Sequence, residues 1–382
     1  MPHRSRFLRA ALSATALSAG CIQASAAVEF RRLPEGGVQP RLVVAADRSI
    51  HMVWLGGDPK ASDVFYQHFA ADAVAPGTPV RVNNQPGSAI AIGTIRGAQV
   101  AVGRNGRAHV VWNGSGTATP KPEGSSPLLY ARSDTTGTAF EAQRNLVTRT
   151  TDLDGGGSVA ADAHGRVHVM WHAGTPGTKT SEDKRRVFLA RSTDDGTSFA
   201  PEIPVTDGTG ACGCCGMEAA NGPEGEIFAL YRSAKANIHR EATLAVSRDH
   251  GVTFTVEPLQ DWETGSCPMS SAAFLGSKTG MIAAWETKGR IHFSAVGKGA
   301  PKPTRIESAP GAKHPALAIN AKGEMLVAWT EGTGWQRGGD LAWQVFDAAG
   351  RPTSEHGSRP GIPVWSYAAA YARPDGTFVI MY

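Results

Sequence analysis

Ser192-Thr193-Asp194-Asp195-Gly196-Thr197-Ser198-Phe199 and Ser247-Arg248-Asp249-His250-Gly251-Val252-Thr253-Phe254 are two copies of one pattern, S-x-D-x-G-x-[ST]-[FW]. Each conserved letter has a local task. The aspartate can accept hydrogen bonds from the backbone of its own turn, the glycine supplies a positive φ, and the closing aromatic ring packs into the layer beneath. Ser133 to Phe140 is a degraded third copy, with Thr135 where the aspartate belongs. All three follow short stretches of alternating character, Leu128 to Ser133, Val187 to Ser192 and Thr243 to Ser247, which read as strands. The pattern therefore closes a strand with a structural turn.

Working outward, a second phrase recurs seven times: an apolar strand, a turn carrying Gly or Asp, and an apolar strand ending in an aromatic residue. The copies are Pro40 to Trp54, Gln99 to Trp112, Ser158 to Trp171, Glu218 to Tyr231, Ala272 to Trp285, Pro315 to Trp329 and Tyr367 to Tyr382. Asn105-Gly106, His164-Gly165, Glu224-Gly225, Lys322-Gly323 and Asp375-Gly376 supply hairpin turns. A third strand and a poorer fourth follow most copies, such as Leu341 to Asp347 after the sixth. Four antiparallel strands repeated about every 45 to 60 residues predict an all-β fold, a β-propeller of six or seven blades. The last copy lacks room for a full blade, so the strand Val28 to Leu33 is expected to complete it.

With two full turn motifs at corresponding places in consecutive repeats, the chain resembles the sialidase-like, BNR-repeat propellers, in which that motif is the Asp-box. The resemblance covers nearly all of residues 28–382, read as a single domain. It implies that the boxes lie on the face away from the active site, and that a sialidase-type site would need three arginines for a substrate carboxylate, a tyrosine paired with glutamate as nucleophile, and an aspartate as acid and base. Clustered guanidiniums suit that task because Arg grips a carboxylate through two parallel hydrogen bonds. The chain offers Arg41, Arg232 and Arg240, then Tyr367 with Glu218 or Glu241, and Asp152 or Asp154. It also departs from the family. Arg32-Leu33-Pro34 is separated from Phe30 by an extra arginine, and no aspartate-arginine segment follows.

Residues 1–26 read as a signal peptide: Arg4, Arg6 and Arg9, an apolar stretch from Ala10 to Gly20, then Ala24-Ser25-Ala26. This predicts export to the periplasm or beyond the cell. Lipid anchoring through Cys21 is not expected, because the leucine of Leu17-Ser18-Ala19-Gly20-Cys21 sits one place too far away. Loss of the leader removes three positive charges from the formal +4 and leaves +1. Basic residues do not cluster along a strand with aromatics, so nucleic acid is not an expected partner. No stretch is long and uncharged enough to span a bilayer, and a monomer is expected.

Strands in a blade alternate direction. The start of the first, the end of the second and the start of the third therefore share one face, and the boxes open on the other. On the first face the sharpest segment is Cys212-Gly213-Cys214-Cys215-Gly216-Met217, echoed one blade later by Cys267-Pro268-Met269. Thiolate and thioether sulfurs favour Cu(I), and His314 is placed to join them. Disulfides among Cys212, Cys214, Cys215 and Cys267 are the alternative in an exported protein. The usual zinc arrangement, two C-x₂₋₄-C segments in a pair, is not matched, which makes zinc less expected. His172 also falls on this face, whereas His51, His109 and His168 occupy repeat-equivalent packing positions.

Three functions follow from these readings. The first is an exported propeller that binds a glycan, a protein or a metal-bearing partner through the cysteine-rich face. The second is a sialidase-type glycoside hydrolase on acidic sugars, with Arg232, Arg240, Asp152, Tyr367 and Glu241 as its residues. The third is a periplasmic copper or thiol-redox protein. No phosphate-binding loop, HExxH or GxSxG occurs, which leaves phosphoryl transfer, zinc proteolysis and α/β-hydrolase chemistry without support.

Overall fold

The computed structural model describes residues 27–382 apart from 75, 123–124, 176, 179–180, 207, 209, 278–279 and 298. The leader and Cys21 lie outside the described residues. The strands are, in chain order, β1 (Val28–Arg31), β2 (Val38–Val44), β3 (Ser49–Asp58), β4 (Ala61–Ala70), β5 (Val80–Arg81), β6 (Gln99–Val102), β7 (Ala108–Asn113), β8 (Leu128–Arg132), β9 (Arg144–Asn145), β10 (Ser158–Ala161), β11 (Val167–Ala173), β12 (Arg186–Ser192), β13 (Ile203–Pro204), β14 (Glu218–Asn221), β15 (Ile227–Arg232), β16 (Ala242–Ser247), β17 (Thr255–Gln260), β18 (Ala273–Ser277), β19 (Gly280–Thr287), β20 (Arg290–Val296), β21 (Thr304–Arg305), β22 (Lys313–Ile319), β23 (Met325–Glu331), β24 (Gly339–Phe346), β25 (Pro352–Ile362), β26 (Ala369–Ala372) and β27 (Phe378–Met381). No helix among the described residues is long and apolar enough to cross a membrane.

Six of the sheets are four-stranded and fully antiparallel, each in chain order from β2–β5 to β22–β25. The seventh is β1-β27-β26. Seven blades result, one for each hairpin phrase, and the six-bladed alternative is set aside. The N-terminal strand closes the ring, but in parallel with β27, pairing Val28 with Phe378 and Arg31 with Met381. A two-residue hairpin forces its strands antiparallel; a strand arriving from the far end of the chain carries no such constraint.

The second strands end where the sequence places aromatics, and those rings fill the seams between blades. Trp112 is buried among residues of the first two blades, such as Val64, Tyr66 and Leu129. Trp171 holds the equivalent place beside Val111, Leu128 and Tyr130. The box aromatics do the same from the outer side: Phe140 packs edge-on to Tyr66 at 5.2 Å, and Phe199 to Tyr130 at 4.9 Å. Such pairs contribute about 0.5–1.5 kcal/mol beyond the area they bury. His51 and His109 each meet the hydroxyl of that tyrosine, at 2.7 Å in both blades.

The two full boxes are built as their letters dictate. Asp194 accepts from the Ser198 amide at 2.9 Å and its hydroxyl at 2.6 Å, and Asp249 from the Thr253 amide at 2.9 Å and hydroxyl at 2.6 Å. In the degraded copy the aspartate has moved rather than vanished. Asp134, one place earlier, accepts from the Thr138 amide at 3.0 Å and hydroxyl at 2.9 Å.

Candidate functional site

The CxCC segment enters β14, the inner strand of the fourth blade. Its backbone is tied on both sides: the Cys212 amide donates to the Arg232 carbonyl at 2.9 Å, and the Gly216 amide to Ser270 of the next blade at 3.0 Å. A turn closed by the Cys215 amide on the Cys212 carbonyl, at 3.4 Å, curls the segment. His172 Nε2 meets the Cys215 carbonyl at 2.9 Å from the third blade. A Cβ at Gly213 would stand 2.9 Å from Nε of Arg185, so that flexible side chain would have to shift to admit one.

This curl brings three sulfurs together. Cys212 Sγ lies 3.2 Å from Cys214 Sγ and 3.7 Å from Cys215 Sγ, and all three fall within 4.8 Å of one another. Cys212 and Cys215 are buried, Cys214 is half-buried and Cys267 is exposed. All four are free thiols, so the disulfide alternative has no counterpart in the structure. Cys267, from the loop before β18, converges with Cys214 and the Glu182 carboxylate, again within 4.8 Å. The four sulfurs thus form two overlapping groups that share Cys214, not one tetrahedron.

The electrostatics favour one thiolate. Burial works against charge on Cys215, but hydrogen bonds from the Cys212 and Cys214 thiols and the nearby Arg232 guanidinium hold it well below the ordinary thiol range. Hydrogen bonding with Cys212, then with Cys215, pushes Cys214 up. The Arg232 side chain is only 6% exposed; it donates to the Arg240 carbonyl at 2.7 Å, pairs with Glu286 at 3.4 Å and lies over the Trp262 ring. Arg240 pairs with Glu182. The cluster can therefore bind a soft cation in a pocket flanked by guanidiniums.

The other expected residues disperse. Met217 is packed in the core between the third and fourth blades with Met170, Leu189 and Tyr231. His314 meets the Ser271 hydroxyl at 3.0 Å and stacks on Tyr367, and burial lowers its pKa to about 3. Neither is in a sulfur group. Gln39 and His314, two residues before the equivalent first-strand pair of their blades, have φ of +57° and +52°, and Met269 and Trp365, four residues before it, have +50° and +58°. At Gln39 and His314 the strand register also breaks, between Val38 and Arg41 and between Lys313 and Ala316, and such bulges re-aim the side chains they carry.

The residues considered for catalysis fall into separate neighbourhoods. Arg232 and Arg240 are engaged by protein carboxylates beside the cysteines. Glu241 accepts from Ser233 Oγ at 2.8 Å. Asp152, on the third-blade loop, lends its carbonyl to Arg185. Tyr367 sits instead in the axial channel, with the Arg41 guanidinium 4.9 Å above its ring and Arg41 paired to Glu218 at 3.7 Å. Asp154 pairs with Arg96.

Sequence reading passed over Glu182, which contacts Arg240 and the Gly213 amide and converges with Cys214 and Cys267. Its signal is topological: it lies on the approach to a third strand, as Arg240 and Glu241 do one blade later.

No protein-family model matches the sequence, and no curated protein is detectably similar to it in sequence. Solved structures share its fold. An α-L-arabinanase of Penicillium chrysogenum, determined with arabinobiose, is 14% identical with a TM-score of 0.55, over 83% of this chain and 95% of that one. A protein of unknown function from Dyadobacter fermentans is 15% identical with a TM-score of 0.53, over 86% and 95%. A Hadza microbial sialidase is 14% identical with a TM-score of 0.52, over 84% and 72%. These likenesses support the seven-bladed β-propeller architecture; function must be argued from the site.

Proposed function

We propose that this chain is an exported propeller that binds a soft metal ion, copper(I), through its cysteine-rich face, with Cys212, Cys214 and Cys215 as ligands. The observation that carries this reading is the convergence of three sulfurs on one short, externally braced loop. Ligands around an ion at metal–sulfur bonds of about 2.3 Å stand roughly 4 Å apart, so the Cys212–Cys214 pair, at 3.2 Å, needs to open by about 0.8 Å and the Cys212–Cys215 pair, at 3.7 Å, by about 0.3 Å. Thiolates select Cu(I) over hard cations, and the absence of a fourth convergent sulfur or imidazole among the described residues disfavours tetrahedral zinc. Arg232 and Arg240 offset the negative charge of a thiolate complex.

The test is copper(I) titration of reduced protein without oxygen, with occupancy read by elemental analysis and by competition with bathocuproine. One ion per chain is expected, with loss of binding in Cys215→Ser and Cys214→Ser. A Cys214→Ser protein that keeps full occupancy overturns the proposal.

One observation favours a second reading, a glycoside hydrolase on acidic sugars: Arg41, Tyr367 and Glu218 meet in the axial channel. It ranks second because Tyr367 is 2% exposed and Arg232 and Arg240 are already paired. Release of fluorophore from a sialoside, lost in Tyr367→Phe, would establish it; inactivity across acidic glycosides removes it.

A further inference from the structure

We infer that Cys267 and Cys214 form an outer station through which the ion is exchanged between the buried sulfurs and a thiolate-bearing carrier in solution. This rests on the copper(I) reading above.

The geometry is a graded path. Cys212 and Cys215 are 1% and 2% exposed, Cys214 is half-buried, and Cys267 is exposed on a loop of another blade. Cys214 belongs to both convergent groups, within 4.8 Å of every other sulfur in each. The third member of the outer group is the Glu182 carboxylate, a hard oxygen that holds Cu(I) poorly. The outer group therefore provides two good ligands and the inner group three, so an ion rests inside and passes outside. The Cys267 loop is anchored by the Thr264 amide on the Ile238 carbonyl at 2.8 Å, and Thr264 and Ser266 hydroxyls lie 2.9 Å apart, which holds the exposed sulfur near Cys214.

Exchange is ligand substitution without change of oxidation state. Carrier-bound Cu(I) gains a bond to Cys267 and loses one to the carrier, then gains Cys214 as it loses its remaining carrier thiolate. It afterwards gains Cys212 and Cys215, shedding Cys267. Each ligand that arrives as a thiol gives its proton to solvent, Cys215 entering as the thiolate, and each departing thiolate takes one back. The partner is defined by chemistry: a small or protein-borne thiolate carrying Cu(I), able to reach an exposed sulfur.

The experiment compares the full chain with Cys267→Ser, anaerobically and reduced, using the Cu(I)–glutathione complex as donor and bathocuproine as acceptor. Cys267 is exposed, so the variant is expected to fold. Final occupancy should stay at one ion with unchanged affinity, while uptake and removal slow roughly tenfold or more, as expected when a tethered ligand at millimolar effective concentration is lost. Rates equal to those of the unaltered chain overturn the inference, as does loss of occupancy in Cys267→Ser, which would make Cys267 a resting ligand. If the unaltered chain binds no copper(I), the underlying reading has failed instead.

Discussion

Replacing Arg232 by methionine tests whether the floor of the site is an ion pair or merely a packed side chain. The two side chains are 6% and 1% exposed, and Arg232 Nη2 lies 3.4 Å from Glu286 Oε2. Removing the guanidinium strands a buried carboxylate whose remaining support is the Gly289 amide at 2.6 Å. Breaking a buried pair from one side costs about 3–5 kcal/mol, against about 0–1 for an exposed one. At an unfolding entropy of about 2.1 cal/mol/K per residue, a domain of this length should lose roughly 4–7 °C in Tm. The sign with pH is fixed by Glu286. Burial already raises its pKa, so the folded protein binds that proton more tightly than the unfolded chain does. The carboxyl's contribution is complete below the unfolded carboxylate range and is lost as pH rises through the folded value. The penalty of Arg232→Met should therefore be small near pH 4 and largest near pH 8. Calorimetry at both pH values, with Glu286→Leu added to recover part of the loss, is the assay. A Tm within a degree of the unaltered protein at pH 8, or a penalty independent of pH, refutes the pair.

Gly97→Ala would place a Cβ onto the Tyr367 hydroxyl and 2.9 Å from Gln39 Oε1, so overpacking of the axis should cost about 1–3 kcal/mol; an unchanged urea midpoint contradicts that closeness. Asp134→Ala should destabilise by about 0.5–1 kcal/mol, the lower end for hydrogen bonds because the turn is exposed, while Thr135→Ala is near neutral; the reverse order in urea unfolding would restore the sequence alignment. Asp194 is held at about 2 by its bonds to Ser198, so its contribution is present above the unfolded carboxylate value and lost as pH falls toward 2; in urea unfolding, the penalty of Asp194→Ala should be the same at pH 7 and 5 and shrink only below pH 4. Ellman titration of anaerobically prepared, unfolded and unreduced protein should find Cys212, Cys214, Cys215 and Cys267 all reactive; two or no thiols among them would reinstate disulfides.

Local chemistry sufficed for the repeat. Turn residues such as Asn105-Gly106, the aromatic ends from Trp54 to Tyr382 and the two boxes are short-range signals, and each is built where its own residues direct. The closing strand was also legible, but not its direction, because no hairpin links β1 to β27. The alternation of strands also pointed to the two cysteine segments as neighbours, and Cys214 and Cys267 do converge within 4.8 Å. What the chain alone could not fix was which side chains meet there. Met217 turns into the seam between blades, Tyr367 finds Arg41 and Glu218 instead of Glu241, and Glu182 arrives from the third blade to join sulfurs of the fourth and fifth. These meetings depend on the rotation of one blade against the next, on the bulged strand entries at Gln39 and His314, and on the positive-φ residues Met269 and Trp365. Such quantities are set by packing across the whole ring, so only the closed tertiary structure decides them.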